Sequence, residues 1–181
     1  RPFDVSPPQS HPDARRVGFF PGSTIGNFAP NEAAEFLSVT AKILAGGDFL
    51  VGVDLKKDKA RLDAAYNDAQ GVTAAFNLNL LTRINRELGG DFQLDGFAHE
   101  AFFNEDLGRI EMHLRSLRAQ TVTIGDAGFE FEAGETIHTE NSYKYSIGEF
   151  QTLAAQAGFT ALHSWTDADD LFSLHYLRAA G

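Results

Sequence analysis

The stretch IHTENSYKY, residues 137–145, places a carboxylate and a hydroxyl two positions apart. Alternate side chains of a β-strand point to the same face, so Glu140 and Ser142 are expected to point the same way. Together they could hold a ligand with two hydrogen-bonding nitrogens, such as an imidazole or a guanidinium. The solvated face of a half-exposed sheet shows the same pattern, and from these residues alone it is the simpler interpretation.

A second stretch that could do chemistry is the turn in FFPGSTIGNF, residues 19–28. A serine nucleophile elbow needs the pattern G-x-S-x-G, whereas Ser23 directly follows Gly22, so the elbow geometry is missing. The stretch also lacks the lysine of a phosphate-binding P-loop. It offers backbone N–H and C=O groups and the amide of Asn27, which suit either a ligand-binding turn or an ordinary strand-to-helix connection.

Polar residues also occur where two predicted helices meet, in AAYNDAQGVTAAFNLNLL. Tyr66 and Thr73 lie beside the break, and Asn77 and Asn79 lie on the second helix. Because polar side chains at a helix break are often caps, their assignment to a function needs support from elsewhere.

The six histidines do not suggest a metal site. None pairs with another at i, i+3 or i, i+4 on a helix, and the sequence contains no H-E-x-x-H motif. We therefore expect no metal, and interpret these residues as surface histidines or hydrogen-bonded core histidines.

Composition narrows the class of ligand. The chain has 181 residues, no cysteine and a formal net charge of −10, which argues against nucleic acids and anionic membranes as partners. No stretch approaches the roughly 18 consecutive apolar residues of a membrane-spanning helix, and the first ten residues lack the layout of a signal peptide. We expect a soluble, cytoplasmic protein that binds a small molecule.

The turn at Gly22 must be positioned by a strand and a helix. Residues 16–20 are predicted to form a short buried strand, and apolar residues at helical spacing predict a helix over 31–44. The run DFLVGVDL is typical of a strand covered on both faces, which completes a strand–helix–strand unit. In such units ligands bind at the carboxyl ends of the strands. The proline-rich residues through Asp13 are predicted to form a loop.

From Lys56 the pattern changes. Helices are predicted over 59–67 and 72–88, the second from apolar residues at four-residue spacing. The stretches RIEMHLRS, QTVTI and FEFEAGETIHTENSYKY then alternate apolar and polar residues, as half-exposed antiparallel strands do. We predict an inserted α+β lobe over residues 56–145.

The remaining residues return to the α/β layer. Ser146 and Glu149 form an S-x-x-E capping box that predicts the start of a helix, and the tail predicts an antiparallel hairpin. The predicted fold class is therefore α/β, with residues 1–55 and 146–181 forming one core around the inserted lobe.

These motifs, taken in order, resemble one protein family. FFPGSTIGNF, LVGVDLKKD, AYNDAQGVTAAFNLNLLTRIN, RIEMHL and GETIHTENSYKY are similar to the histidine-specific Nα-methyltransferases of ergothioneine biosynthesis. The resemblance implies an S-adenosylmethionine-dependent enzyme that trimethylates the α-amino group of L-histidine, giving hercynine without a metal. It also implies a partial Rossmann-like methyltransferase sheet carrying the inserted substrate-binding lobe.

The resemblance assigns the amino-acid end of the substrate to three residues. Asn27 and Tyr66 match positions that hold the substrate carboxylate and backbone. Gly22 matches a position close to the amino group and the methyl donor, S-adenosylmethionine. Because only a neutral amine can attack, Tyr66 is the expected residue to orient that amine or relay its proton.

The resemblance assigns the side-chain end of the substrate to four residues. Glu140 and Ser142 match the pair that binds the imidazole, which reverses the preference for a solvated sheet face. Thr73 and Met112 match positions that line the pocket.

The resemblance covers only the carboxyl-terminal part of such an enzyme. The family's glycine-rich donor-binding loop and ribose-binding acidic residue precede the matching region, so we expect this chain to be inactive by itself. Two alternatives remain: an amino-acid-binding module without a donor half, and a methyltransferase of the same family acting on another amino acid. An unpaired sheet edge would also permit a dimer.

Overall fold

The chain divides into two compact units. The computed structural model describes residues 14–181; the first unit contains those up to Lys57 together with Ser142–Gly181, and the second contains Asp58–Asn141. The predicted lobe of 56–145 begins two residues earlier and ends four residues later than the second unit. The predicted loop through Asp13 lies outside the described residues.

Four helices and nine strands are found among the described residues. In chain order they are β1 (Val17–Phe20), α1 (Pro30–Leu44), β2 (Asp48–Asp54), α2 (Lys59–Tyr66), α3 (Val72–Leu88), β3 (Phe97–Asn104), β4 (Arg109–Ser116), β5 (Gln120–Ile124), β6 (Ala127–Phe131), β7 (Thr136–Tyr143), α4 (Ile147–Gln156), β8 (Phe159–Thr166) and β9 (Phe172–Ala179).

The first unit is built on a mixed four-stranded sheet with the order β1-β2-β9-β8. β1 runs parallel to β2, with Val17 opposite Asp48, while β9 is antiparallel to both β2 and β8. The predicted strand–helix–strand unit and terminal hairpin are therefore confirmed. The core is apolar and rich in phenylalanine, and includes Ile25, Leu37, Phe49, Val51, Val53, Phe150, Phe159 and Leu177.

Local sequence explains where the helices of the first unit begin. The Glu32 carboxylate accepts a hydrogen bond from the N–H of Ala29, at the first turn of α1. At α4, the N–H of Ser146 donates to Glu149 and the N–H of Glu149 donates to the Ser146 hydroxyl. The capping box predicted from S-x-x-E is confirmed.

β1 is one of the two outer strands of the described sheet, and β8 is the other. The β1 side chains Val17 and Phe19 are 61% and 66% exposed, so the prediction of a buried strand was wrong. Only the other face of the strand, with Phe20, packs against the core. Such an apolar edge can pair with a further strand. Dimerisation through it stays a prediction.

The second unit combines helices with antiparallel strands. β3, β4 and β7 form a three-stranded sheet in that order, and β5 pairs with β6 in a hairpin. Two apolar clusters form its core: Leu81, Phe92, Phe97, Leu114 and Val122 in one, and Leu62, Ala101, Ile110 and Met112 in the other.

Two features of the second unit differ from the sequence analysis. β3 was not predicted, because FAHEAFFN lacks a clear alternation of apolar and polar residues. α3 begins and ends where predicted, but its buried residues are Asn77 and Leu81. Val72 and Phe76, which belong to the four-residue apolar series, are more than 60% exposed. Among residues 14–181, no helix has both the length and the apolar character needed to span a membrane.

His175 is a fully buried histidine of the first unit. Its ring packs against Phe150, with 4.8 Å between centroids. The Ser173 hydroxyl donates to the carbonyl of Val53, so its oxygen accepts from Nε2–H of His175 at 2.9 Å. Burial lowers the pKa of His175 from 6.5 to about 4. The histidine is therefore neutral in the folded protein at ordinary pH.

This burial predicts a pH dependence of stability. Between pH 6.5 and about 4, the unfolded chain binds a proton at His175 that the folded chain does not, so the free energy of unfolding falls as the pH is lowered through this window. The loss attributable to this residue is at most of order 3 kcal/mol. His175→Leu should remove that part of the slope, as measured by urea unfolding at several pH values.

His163, exposed on β8, provides the matched control. His163→Asn should leave the pH dependence as it is in the wild type. A His175→Leu protein with the wild-type slope between pH 4 and 6.5 would contradict the assignment.

Candidate active site

The turn after β1 has an unusual backbone. Gly22 and Ser23 both lie in the left-handed region, with φ of 74° and 57°, and a short 3₁₀ turn over Thr24–Asn27 follows. The N–H of Gly26 donates to the carbonyl of Ser23 at 2.8 Å, and the Ser23 hydroxyl accepts from the N–H of Asp54 at 2.8 Å. The turn is therefore attached to the carboxyl end of β2.

The two glycines of this turn have different surroundings. A Cβ on Gly26 would lie 2.7 Å from the carbonyl oxygen of Tyr143, so the turn lies directly against the end of β7. A Cβ on Gly22 would have no neighbouring atom within 4 Å. Gly22 is thus exposed at the carboxyl end of β1, with open space beside its backbone. Asn27 is the last residue of the 3₁₀ turn and is exposed.

The end of β7 is joined to the end of β2 by backbone hydrogen bonds. Leu55 and Tyr145 form a parallel bridge, in which Lys56 donates to the Tyr145 carbonyl at 3.0 Å and Tyr145 donates to the Asp54 carbonyl at 3.3 Å. This pairing places Ser142 and Lys144 beside the carboxyl end of the central strand.

Ser142 and Lys144 are buried, unlike residues on a solvated sheet face. Ser142 is 6% exposed and the Lys144 side chain 1%. The Lys144 ammonium lies 2.7 Å from an Asp54 carboxylate oxygen and donates to the Ser142 hydroxyl oxygen at 2.7 Å. The second Asp54 oxygen pairs with Lys57, whose ammonium also donates to the Leu171 carbonyl. Ser142 is therefore hydrogen-bonded to a network of charged side chains formed by Lys144, Asp54 and Lys57.

In the second unit, Tyr66 is the last residue of α2 and packs against the cluster that contains Met112. Its carbonyl accepts a hydrogen bond from Nε2 of His99 at 2.8 Å. Nδ1 of the same ring accepts from the amide of Asn77, which also donates to the carbonyl of His113. These contacts assign the neutral Nε2–H tautomer to His99 and hold the backbone of Tyr66.

Thr73 lies in the first turn of α3, where Asp68 caps the helix. The Asp68 carboxylate accepts from the N–H groups of Val72 and Thr73 at 2.9 and 2.8 Å. Hydrogen bonds from Thr73 and Val72 lower the pKa of Asp68 from 3.8 to about 2. The cap fixes the position of Thr73.

The other two predicted residues of the second unit lie on neighbouring strands. Met112, on β4, is 3% exposed, and its carbonyl accepts from the Thr139 hydroxyl at 2.9 Å. Glu140, on β7, is half-buried, and its carbonyl accepts from a ring nitrogen of His138 at 3.2 Å.

Folding also groups residues that the sequence analysis left apart. Glu111, His113 and His138 place one possible metal-binding atom each within 4.8 Å of one another. The two imidazole rings are stacked at 4.5 Å and 18°, so their in-plane lone pairs do not converge. Burial opposes ionisation of Glu111, but hydrogen bonds from Arg109 and His113 hold its pKa below the ordinary value. The expected absence of a metal stays a prediction.

The seven predicted residues fall into two groups. Gly22, Asn27 and Ser142 belong to the first unit, where the turn lies against the end of β7. Tyr66, Thr73, Met112 and Glu140 belong to the second unit, where Tyr66 packs with the Met112 cluster.

The sequence analysis gave no role to four residues that contact the turn after β1, Ser142, the carbonyl of Tyr66 or the first turn of α3. They are Asp54, Lys144, His99 and Asp68. The available signals were a carboxylate at the end of a predicted central strand and a lysine that alternates with Glu140 and Ser142.

Comparison with known proteins identifies the family. Residues 3–179 match the family described as "Histidine-specific methyltransferase, SAM-dependent". The chain is 49% identical over 163 residues to a histidine N-alpha-methyltransferase of Mycolicibacterium smegmatis, covering 88% of this chain and 51% of that protein. It is 34% identical to ergothioneine biosynthesis protein 1 of Neurospora crassa, in a match that covers 86% of this chain and 18% of that protein. It is 30% identical to the L-tryptophan methyltransferase trpM of Psilocybe serbica, in a match that covers 88% of this chain and 46% of that protein.

The chain therefore spans about half the length of the Mycolicibacterium protein that it matches. The match nevertheless includes nearly all of this chain, and with it the turn after β1 and the whole of β7. The mixed sheet with its helices gives the α/β architecture that the sequence predicts. The chain belongs to the histidine-specific, S-adenosylmethionine-dependent methyltransferases.

Proposed function

We propose that the protein containing this chain transfers methyl groups from S-adenosylmethionine to the α-amino group of L-histidine, with hercynine as the product of three transfers. Family membership and the names of the Mycolicibacterium and Neurospora relatives support this reaction. The structural observation that carries the proposal is the burial of Ser142 beside the turn after β1. A buried hydroxyl at the carboxyl edge of a parallel pair of strands suits recognition of a polar ring.

The reaction requires positioning more than activation by the protein. S-adenosylmethionine supplies an electrophilic methyl group when bound, and the nucleophile is the substrate's own nitrogen. The enzyme must hold that nitrogen neutral and in line with the methyl carbon. In the first unit, we assign Asn27 to the substrate carboxylate and Gly22 to the place where amine and donor meet.

The surroundings of Gly22 are compatible with the approach of the methyl donor, S-adenosylmethionine. The glycine is exposed, has positive φ and leaves open the space that a Cβ would occupy. A ligand can therefore come close to its backbone. Among the residues of this chain, Gly22 is the one that we assign to the methyl donor, S-adenosylmethionine.

The second unit carries the other proposed roles. Tyr66 orients the substrate amine or takes its proton, and Glu140 accepts from an N–H of the imidazole ring. Thr73 and Met112 line the side-chain pocket. Because the chain spans about half of its bacterial relative, these roles refer to the full-length protein, and the 181 residues by themselves stay predicted to be inactive.

A second candidate function is methylation of another amino acid. The name of the Psilocybe relative gives tryptophan as the substrate of that protein. An amino-acid-binding module without transferase activity is the other alternative. To separate these three functions, the full-length protein is incubated with S-adenosylmethionine and either histidine or tryptophan. The products are then identified by mass spectrometry. Trimethylated histidine supports the proposal, methylated tryptophan alone supports the second candidate, and binding without product supports the module.

Glu140 provides the first test of substrate recognition. Glu140→Ala removes a charge-assisted hydrogen bond, so histidine should bind about 10- to 150-fold more weakly, while phenylalanine binding changes little. Isothermal titration of both amino acids measures the two changes. Equal losses for histidine and phenylalanine would remove Glu140 from the imidazole site.

The control for this test is Glu130→Ala. Glu130 is an exposed carboxylate on β6 in the same unit, and its removal changes the net charge by the same amount. Histidine affinity should stay at the wild-type value. Any weakening by this variant would indicate a nonspecific charge effect.

Tyr66 provides a test of the catalytic assignment. Tyr66→Phe keeps the ring that packs against the Met112 cluster and the carbonyl that binds His99, so thermal stability should be retained. Loss of the phenol should lower kcat/KM for histidine by roughly 100-fold, the lower range for a general acid–base group. Steady-state kinetics of the full-length protein decide the matter, and unchanged kinetics would exclude Tyr66 from proton transfer.

A further inference from the structure

Asn77 is a buried amide on α3 that the proposed reaction does not yet use. It is 0% exposed, although apolar residues of the same helix, such as Phe76, lie at the surface. Its NH2 group donates at 3.0 Å to Nδ1 of His99 and at 3.0 Å to the carbonyl of His113. Its oxygen is buried, and no hydrogen-bond partner for it is found among residues 14–181. A buried oxygen without a hydrogen bond is unfavourable, so the orientation of the amide is set by its two donated bonds.

The carbonyl groups at the two ends of this chain of hydrogen bonds fix its direction. A carbonyl group only accepts, so Asn77 must direct its NH2 group towards His113. The other N–H of the amide then meets Nδ1 of His99, which must be the unprotonated ring nitrogen. Nε2 carries the ring proton and donates to the carbonyl of Tyr66 at 2.8 Å. Asn77 therefore keeps His99 in the tautomer that can bind Tyr66.

Tyr66 is the last residue of α2, where carbonyl groups have no partner within the helix. His99 supplies that partner from β3. The next residue, Asn67, also donates to a backbone carbonyl of β3, that of Ala101, at 2.9 Å. The end of α2 is thus attached to β3, and the contact from His99 is made to Tyr66 itself.

We infer that Asn77 and His99 are positioning residues for the reaction. Through the tautomer of His99 they hold the backbone of Tyr66, and with it the phenol, in the place from which it orients the substrate amine or takes its proton. This inference rests on the proposed function. The residues involved all belong to the second unit. The reaction depends on such accuracy because a misplacement of about 1 Å can lower a rate about 100-fold.

The first test compares two asparagines of α3 in the full-length protein. Asn77→Ala removes two hydrogen bonds between the helix and the strands. Asn85→Ala is the matched control, because the amide of Asn85 also makes two hydrogen bonds, to the N–H and the carbonyl of Phe92. Both variants should lower the melting temperature. For histidine, kcat should fall about tenfold in Asn77→Ala and stay within about twofold of the wild type in Asn85→Ala. Equal effects on kcat would overturn the inference.

Variants of His99 separate positioning from packing. His99→Phe keeps a ring of similar size without a donor, so kcat should again fall about tenfold. In His99→Gln the side-chain amide can donate to the carbonyl of Tyr66 and should recover most of the lost kcat. A Gln variant as impaired as the Phe variant would contradict the inference. The ring nitrogens of His99, observed by 15N NMR, should show the Nε2–H tautomer in the wild type, and a predominant Nδ1–H tautomer would also overturn it.

A double-mutant cycle shows whether the effect passes through the phenol. In a Tyr66→Phe background, His99→Phe should cause no further loss of kcat, because the group that it positions has already been removed. An equal loss in both backgrounds would indicate a general structural effect and would overturn the inference.

Product analysis separates failure of the inference from failure of the proposed function. A wild-type protein that does not methylate histidine would overturn both. Methylation of histidine with the same kcat in the wild type and in His99→Phe would overturn the inference alone. If Asn77→Ala shows no thermal unfolding transition and so does not fold, the comparison of His99→Phe with His99→Gln decides the question.

Discussion

The buried ion pair between Lys144 and Asp54 supports the organisation of the first unit around the turn. Asp54 ends β2, the central strand next to β1, and Lys144 directly follows β7. The N–H of Asp54 also binds the Ser23 hydroxyl, which attaches the turn after β1 to the same point. Removal of Asp54 would leave the buried Lys144 ammonium without its counter-ion, so this ion pair holds the ends of β2 and β7 together.

The proposed site residues are held in position through contacts to their own or neighbouring backbone groups. Gly26 lies so close to the Tyr143 carbonyl that no side chain fits between the turn and β7. In the second unit, His99 holds the carbonyl of Tyr66 and Asp68 holds the first turn of α3. Residues that bind a ligand need this support, because a shift of 1 Å is enough to lose a productive geometry.

Much of this arrangement could be predicted from local patterns. The S-x-x-E box, the continuously apolar β2 and the spacing in α3 led to elements in the correct places, because caps and periodicity are properties of adjacent residues. β3 escaped prediction because its sequence does not alternate. The buried side of α3 also could not be inferred from its apolar residues, since Phe76 is exposed whereas Asn77 is buried by hydrogen bonds to β3 and β4.

The sequence by itself indicated the family, the seven residues proposed to contact the substrate, and the elements of the fold other than β3. It also indicated that Glu140 and Ser142 point to the same face of one strand. Only the tertiary structure decided that Lys144 is buried and that its ammonium reaches both Asp54 and Ser142. The physical reason is that burial and hydrogen-bond direction depend on groups far apart in the chain, which meet when β2 and the end of β7 pair.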